Sequence, residues 1–443
     1  MKRTVISLAV GAAFVAPLAH AEVTLSGNIT AGPTILHQGE GSTGAANSIT
    51  STGPTAQSGI TRTGIDTNYS NITIGSMEDL GGGLKLDFAF QIIAPINGNL
   101  ALQNRNSHIG LVSDSWGGVW YGTNEQLYER YLYSVDPLDG AAGIGGNLQM
   151  LGTPGYGAVF DQPTGGGLGG LSNGGNLIGT ADFYRRQENT IWYDSPNWSG
   201  FTFGAYTSLS AFKANSGTGS IGTTTGVTVP GVNPTIWGIG AKYVGPVVPI
   251  QAWIAYENHH DLFGLNVIST GGAGCASATS AGCTLPGANG ASSSSDHGIQ
   301  VGVGYTLGDL FFYANFEQLK YQTDGLSGPI VDEYKRNAWS IAGKWNVATG
   351  YIGAQFIQAQ NATCDMADGS SCNADNTGGR MVGLGYYHTL SKQTQAYVMG
   401  TYIKNDSLQS YLPAGGGTSV GAGVPVSLGA NIWGAIVGLK HSF

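Results

Sequence analysis

The sequence has no apolar run long enough to cross a membrane as a helix, which needs about 18 uninterrupted apolar residues. The apolar run at residues 5–15 is shorter, follows Lys2 and Arg3, and precedes a small-x-small tripeptide at residues 19–21. This pattern predicts a secretory signal peptide over residues 1–21 and a mature chain that begins at Glu22. An exported chain without such a helix can live in a membrane only as a closed β-barrel.

Charged residues are scarce, at 10% of the 443 residues, against about 25% in an average soluble domain. The net charge is −9, and removing the two bases of residues 1–21 makes it −11. A chain this acidic is not expected to bind nucleic acid. The 73 glycines and 21 tyrosines could suggest low complexity, but the aromatic residues fall in alternating segments and not in repeats.

There are only four cysteines, and they form two pairs with the same spacing, Cys275 with Cys283 and Cys364 with Cys372. Both pairs lie in stretches rich in small and polar residues. In an exported protein this arrangement predicts two local disulfides, each within one loop, with free thiols as the alternative. A zinc site would need close C-x-x-C pairs, which the sequence lacks.

The sequence also lacks a nucleophile, base and orienting group at a spacing that suggests catalysis. Its glycine runs at residues 165–167 and 415–417 have no following Lys-Ser/Thr and are not phosphate loops. The His259-His260-Asp261 tripeptide could hold a metal, but a solvated cluster at a strand end is the favoured interpretation. We therefore expect no enzyme activity, no cofactor and no metal.

Alternation with a period of two is the dominant pattern that is present. In residues 431–443, Trp433, Val437, Leu439 and Phe443 lie on one face, and mostly small or polar residues lie on the other. Such a period predicts a strand whose two faces meet different media. The aromatic last residue fits a strand that closes a barrel at the membrane surface.

About sixteen such strands follow one another, and short turns alternate with long loops, as in outer-membrane barrels. The predicted fold class is all-β: a membrane-spanning antiparallel β-barrel of 16 strands, with short periplasmic turns and long extracellular loops, over residues 22–443 as a single domain. A barrel of about this size leaves an aqueous channel. Residues 124–182 show no regular pattern, and a loop that long is expected to be functional.

Several segments, in the same order along the chain, resemble Gram-negative general porins of the betaproteobacterial type. They are Glu-Asp-Leu-Gly-Gly-Gly-Leu at residues 78–84, Arg-Gln-Glu-Asn-Thr-Ile-Trp-Tyr at 186–193 with Ser-Pro-Asn-Trp-Ser-Gly-Phe at 195–201, Asn104-Arg105 with Gly110-Leu111, and the ending at 438–443. The resemblance implies a homotrimer of sixteen-stranded barrels in outer-membrane lipid. It also implies that residues 124–182 fold into the lumen as a constriction loop.

In that family, acids on the constriction loop face arginines on the barrel wall. The resemblance therefore implies pore-lining roles for two sets of residues, although each acid could equally be a solvated loop charge. The candidate acids are Glu125, Glu129, Asp136, Asp139 and Asp161, and the candidate wall bases are Arg105 and Arg186. The chain departs from the family at Asn71, where arginine is usual, so strong anion selectivity is not expected.

The predicted function is passive diffusion of ions and small hydrophilic solutes across the cell outer membrane, with a mild cation preference suggested by the net acidity. The nearest alternative is a substrate-specific channel in which the long loop builds a solute-binding site. An enzyme or adhesin on a barrel scaffold would need a catalytic set or a large outer domain, and neither is visible. A secreted all-β protein without a membrane is the remaining alternative.

Overall fold

The computed structural model describes residues 22–43, 58–67, 70–94, 96, 104–138, 144–155, 171–173, 176–178, 182–184, 186–208, 235–261, 265, 293–412 and 427–443. Among the sequence predictions, the signal peptide, Asp139, Asp161 and the Cys275/Cys283 pair lie outside these residues. The described part is dominated by antiparallel strands.

Sixteen strands make up the main sheet, and two of them are interrupted. In chain order they are β1 Thr24–Gln38, β2 Ile60–Asp66 with Asn71–Gly81, β3 Leu84–Ile93, β4 Asn104–Ser113, β5 Gly117–Glu125, β6 Arg186–Asp194, β7 Phe201–Ser208, β8 Thr235–Val244, β9 Ile250–His260, β10 Ser293–Leu307, β11 Leu310–Asp324, β12 Val331–Val347, β13 Gly350–Ala359 with Thr363–Met366, β14 Gly379–Thr389, β15 Thr394–Asn405 and β16 Ile432–Ser442. Between β5 and β6 lie helix α1, Leu127–Val135, a 3₁₀ turn, Asn147–Gln149, and a small hairpin, Leu171–Asn173 with Asn176–Ile178.

The sheet closes on itself through β1, which pairs with β2 on one side and with β16 on the other. Both parts of β2 run antiparallel to β1, since Asp66 pairs with Gly32 and Asn71 pairs with Asn28. Between the two parts, the Ser70 hydroxyl accepts the Thr30 backbone N–H at 2.9 Å. The interruption is therefore a local irregularity in one strand. Closure confirms the predicted sixteen-stranded barrel.

Several strands extend beyond the residues in which hydrophobic alternation is visible. The first part of β2 begins at Ile60, within a stretch rich in glycine, serine and threonine. β11 continues to Asp324 and β12 begins at Val331, which leaves a connection of a few residues. Pairing with the neighbouring strand extends these elements beyond the point where the alternating hydrophobic pattern ends.

The outward face of the barrel is apolar. Along β10, Ile299, Val301 and Val303 are exposed, whereas the intervening Gln300 is buried. Exposed aromatic residues gather near the ends of the strands, as at membrane–water interfaces; at the short-turn end these are Trp116, Trp198, Phe201, Tyr305, Trp345 and Phe443. Within the described residues, no helix has both the length and the apolar character that a membrane span requires.

Inward-facing glycines make room for aromatic rings that lie against the wall. Trp253 on β9 is 2% exposed and pairs directly with Gly302 on β10. A Cβ atom at Gly302 would overlap the Trp253 indole, and the same relation holds between Gly118 and the Trp120 ring. Part of the high glycine content is thus explained by close packing on the inner wall.

We expect Gly302→Ala to destabilise the barrel by about 1–3 kcal/mol, the usual cost of overpacking a close-packed site. Denaturant unfolding of the protein refolded into lipid vesicles measures the change. Gly400→Ala is the matched control, because a Cβ there meets only the Gly434 carbonyl at 3.7 Å. Equal unfolding midpoints for the two variants would contradict the packing argument.

A disulfide joins Cys364, in the second part of β13, to Cys372 in the loop that follows. Their Cα atoms are 5.6 Å apart, within the range that the bond requires. Cys364 lies in the second part of β13, which pairs with β12. The disulfide therefore ties this loop to the end of a barrel strand.

Candidate functional site

Helix α1 begins directly after β5, in a segment that was predicted to lack regular structure. That prediction was wrong, because Leu127, Tyr128, Tyr131, Leu132 and Val135 recur at helical spacing and all five are buried. The Pro137 that follows is typical of a helix end. This pattern is visible in the sequence and was the signal that could have found the helix.

The segment from α1 to residue 155 contacts the buried side of strands around much of the barrel. Arg130 donates two hydrogen bonds to Asp194 on β6, at 2.8 and 2.9 Å. Gln300 on β10 donates to the Tyr128 carbonyl at 2.6 Å, and the Gln355 side chain on β13 donates to a loop carbonyl. The described part of this segment is thereby held to the wall through several strands.

Four of the predicted site residues come together as one group, the charge cluster of Arg105, Glu125, Glu129 and Arg186. Glu125 Oε1 lies 2.5 Å from Arg186 Nη2 and 3.6 Å from Arg105 Nη2. Glu129 Oε1 lies 3.7 Å from Arg186 Nη2. Glu125 is the last residue of β5, so the predicted start of the loop at residue 124 lies within this strand, and one acid and both bases belong to the wall.

Glu129 is the most deeply placed acid of the charge cluster. It is 1% exposed, and its Oε2 has no hydrogen-bond partner. Burial raises the pKa of the Glu129 carboxyl to about 7, although the Arg186 guanidinium acts in the opposite direction. Burial therefore disfavours the ionised form of Glu129, whereas Glu125 is paired with two arginine neighbours.

Asn71 is connected to the charge cluster through another amide. Gln91 Nε2 donates to Asn71 Oδ1 at 3.3 Å, and Arg105 Nε donates to Gln91 Oε1 at 3.1 Å. The residue that departs from the family pattern thus lies one side chain away from Arg105. An uncharged amide occupies a place where an arginine would have added a positive charge.

Asp136 has a different environment from the other predicted acids. Its two oxygens accept the backbone N–H groups of Leu138 and Asn147, each at 2.8 Å. These bonds join two parts of the same loop across the intervening residues. The structure therefore places Asp136 in the internal support of the loop, where its oxygens bind backbone N–H groups.

A buried ion pair that the sequence reasoning missed joins Glu317 on β11 to Arg336 on β12; we call it the Glu317–Arg336 clamp. Both side chains are fully buried. Glu317 also accepts the Tyr128 hydroxyl at 2.7 Å and the Gly152 backbone N–H at 2.9 Å. The carboxylate thus binds both ends of the described loop segment.

The arginine of the clamp reaches two further segments. Arg336 Nη1 donates to the Met150 carbonyl at 3.0 Å and to the Tyr411 hydroxyl at 3.2 Å. The only sequence signal for the clamp was the scarcity of charge together with inward strand positions. Neither feature identifies which loop atoms the side chains meet.

Further polar groups line the wall near β3 to β6. Asp87 accepts the Trp120 indole N–H at 2.8 Å and lies 3.2 Å from His108 Nε2. The Trp120 and Trp192 rings stack with centroids 5.9 Å apart. These side chains are partly exposed, apart from the buried Trp192.

The His259-His260-Asp261 tripeptide is not a uniformly solvated cluster. His259 is fully buried, with Nε2 2.7 Å from Glu257 and its ring stacked on Phe183. His260 is 48% exposed and Asp261 is 8% exposed. Over the described ranges, no group of three or more potential ligands is arranged to hold a metal ion.

The family model described as Gram-negative porin matches residues 7–408 of the chain. The chain belongs to the Gram-negative porin family. An outer membrane porin protein of Bordetella pertussis is 26% identical over 384 residues, which cover 81% of this porin and 82% of the relative. Outer membrane porin protein 32 of Delftia acidovorans is 26% identical over 450 residues and all of both chains.

Solved structures show the same fold. An anion-selective porin from Comamonas acidovorans matches with a TM-score of 0.64 and 22% identity, covering 96% of this porin and 100% of that chain. OmpT of Vibrio cholerae in its trimer form matches with a TM-score of 0.56 and 13% identity, covering 96% and 99%. At these identities the likeness concerns the fold alone.

The porin resides in the outer membrane and is a passive diffusion channel for ions and small hydrophilic solutes. It is a channel and not an enzyme. The predicted fold, location and broad function are therefore confirmed.

Proposed function

We propose that residues 124–182 form the constriction of the channel and that the charge cluster lies at its narrow part. The support is the set of contacts that hold α1 and residues 144–155 against the buried side of the strands. The cluster itself joins this segment to the wall, because Glu129 lies on α1 and Arg186 on β6. This ion-paired group is the observation that carries the proposal.

A few charges at such a place have a large effect. A low-dielectric wall around a narrow water column focuses their field on passing solutes. Two arginines facing two glutamates give a field with little net charge, which favours small polar solutes over apolar ones. Size and hydrophilicity then decide what passes, and ion selectivity is weak; the mild cation preference stays a prediction.

The same proposal includes the assembly. The family and the trimer form of a structurally similar porin support a homotrimer whose apolar outer faces contact outer-membrane lipid and neighbouring subunits. Asp139 and Asp161 stay predicted members of the constriction loop. The signal peptide over residues 1–21 stays a prediction for the export step.

In planar bilayers we expect the purified porin to form channels whose conductance rises in proportion to salt concentration. In liposome swelling we expect the uptake rate of neutral sugars to fall steadily with solute size and to show no saturation. Empty liposomes and heat-denatured protein are the controls. Saturating flux for one solute class would instead support the substrate-specific alternative, and no conductance at all would refute the proposal.

A further inference from the structure

Glu129 differs from the other members of the charge cluster in how it is held. Arg186 from β6, Glu125 from β5 and Arg105 from β4 face it, and the Glu257 carboxylate on β9 adds to its surroundings. Glu125 contacts Arg186 at 2.5 Å, whereas Glu129 reaches the same guanidinium nitrogen only at 3.7 Å. The first acid thus makes the closer ion pair with Arg186.

The remaining groups near Glu129 do not neutralise it. The Glu257 carboxylate lies 2.7 Å from His259 Nε2 and accepts a hydrogen bond from the Tyr206 hydroxyl. It therefore interacts mainly with these two side chains. Arg130, on the same helix, is paired with Asp194. Glu129 is 1% exposed and one of its oxygens is without a hydrogen bond. A buried carboxyl group with an oxygen that accepts no hydrogen bond is more stable in its neutral form than in its ionised form.

We propose that Glu129 is a selectivity-determining residue that binds and releases a proton in place, so that the charge cluster changes from net positive to neutral as the pH rises. The inference rests on the proposed constriction. With Arg105 and Arg186 positive and Glu125 negative, a neutral Glu129 leaves one net positive charge. An ionised Glu129 cancels it.

Because the pKa of Glu129 is raised to about 7, this change of charge falls between pH 5 and pH 9. Below the pKa the cluster attracts anions, and above it the attraction is lost. A unit charge acting over about one Debye length of water, about 8 Å, changes the ratio of anion to cation permeability about fivefold. The ratio should therefore fall about fivefold between pH 5 and pH 9.

Reversal potentials in a salt gradient across planar bilayers, measured from pH 5 to pH 9, test the inference. We expect Glu129→Gln to abolish the step and to keep the wild-type acid value at every pH, because glutamine resembles the protonated acid. Glu333→Gln, which removes an acid from a partly exposed pair with Lys320, is the matched control and should keep the step.

His108, which lies 3.2 Å from Asp87 on the wall, provides a second control. We expect His108→Gln to leave the midpoint unchanged. Glu129→Asp, which moves the carboxyl relative to Arg186, should shift the midpoint and serves as the second variant if Glu129→Gln does not fold. A step that persists in Glu129→Gln, an unchanged midpoint in Glu129→Asp, or loss of the step in His108→Gln would overturn the inference. If the protein still forms conducting channels while the variants give those results, only this inference fails and the proposed constriction stands. If the wild-type protein forms no conducting channels, the proposed constriction is refuted.

Discussion

Arg336→Met is expected to produce the largest loss of stability, about 3–5 kcal/mol, the usual cost of removing one partner from a buried ion pair. The Glu317 carboxylate would remain fully buried without its counter-charge. The bonds from Arg336 to the Met150 carbonyl and the Tyr411 hydroxyl would also be lost. We therefore expect larger and noisier single-channel currents, because the loop loses an attachment to the wall.

Denaturant unfolding in vesicles and single-channel recordings in bilayers measure the two effects. Lys320→Met is the control, since Lys320 and Glu333 form a pair on the same two strands but are 25% and 29% exposed. Such a partly exposed pair is worth roughly 0–1 kcal/mol.

The double variant Glu317→Leu with Arg336→Met separates the two roles of the clamp. We expect it to recover much of the stability, because apolar residues can replace a buried ion pair at little cost. The noisy current should remain, since the bonds to the loop are still absent. If Arg336→Met were no less stable than Lys320→Met, the clamp would not contribute to holding the fold.

Arg186→Gln is expected to produce the largest change in ion selectivity. Arg186 is fully buried and is the arginine that contacts both acids of the charge cluster. Its removal lowers the charge of the cluster by one unit. Over about one Debye length of water, about 8 Å, one unit charge is worth about 0.5 kcal/mol for each ion, with opposite sign for anions and cations. The permeability ratio should move about fivefold toward cations.

Reversal potentials at pH 9, where Glu129 is ionised in the wild type, give the clearest comparison. Arg380→Gln is the matched control, because Arg380 is exposed on β14 in alternation with the buried Met381. Combining Arg186→Gln with Glu125→Gln should return the ratio toward the wild-type value. An Arg380→Gln shift as large as the Arg186→Gln shift would show that the effect does not arise in the charge cluster.

Sequence patterns predicted most of the barrel because each strand carries its own signal. A period of two distinguishes an apolar outer face from a polar inner one, and it needs no knowledge of distant residues. The strand ends were predicted less well. Residues 321–324 and 331–334 lack the outward apolar pattern, yet they extend β11 and β12 through backbone pairing with neighbouring strands.

The candidate site was predictable only in its components. The family resemblance identified both Arg105 and Arg186 as wall bases and the acids near Glu125 as their partners. Nothing local indicated that Glu129 would be buried against Arg186, a contact across 57 residues of chain, or that Asp136 would support the loop from within. The resemblance supplied the class of the site and not its ion pairs.

The sequence by itself determined strands that are apolar outside and polar inside, because solvent and lipid act on each residue through local periodicity. The tertiary structure alone decided which inward side chains meet. Glu317 binds the Tyr128 hydroxyl from 189 residues away, and that encounter depends on how the closed barrel curves around the loop. Contacts across a lumen are set by the closure of the whole sheet, so no short stretch of sequence encodes them.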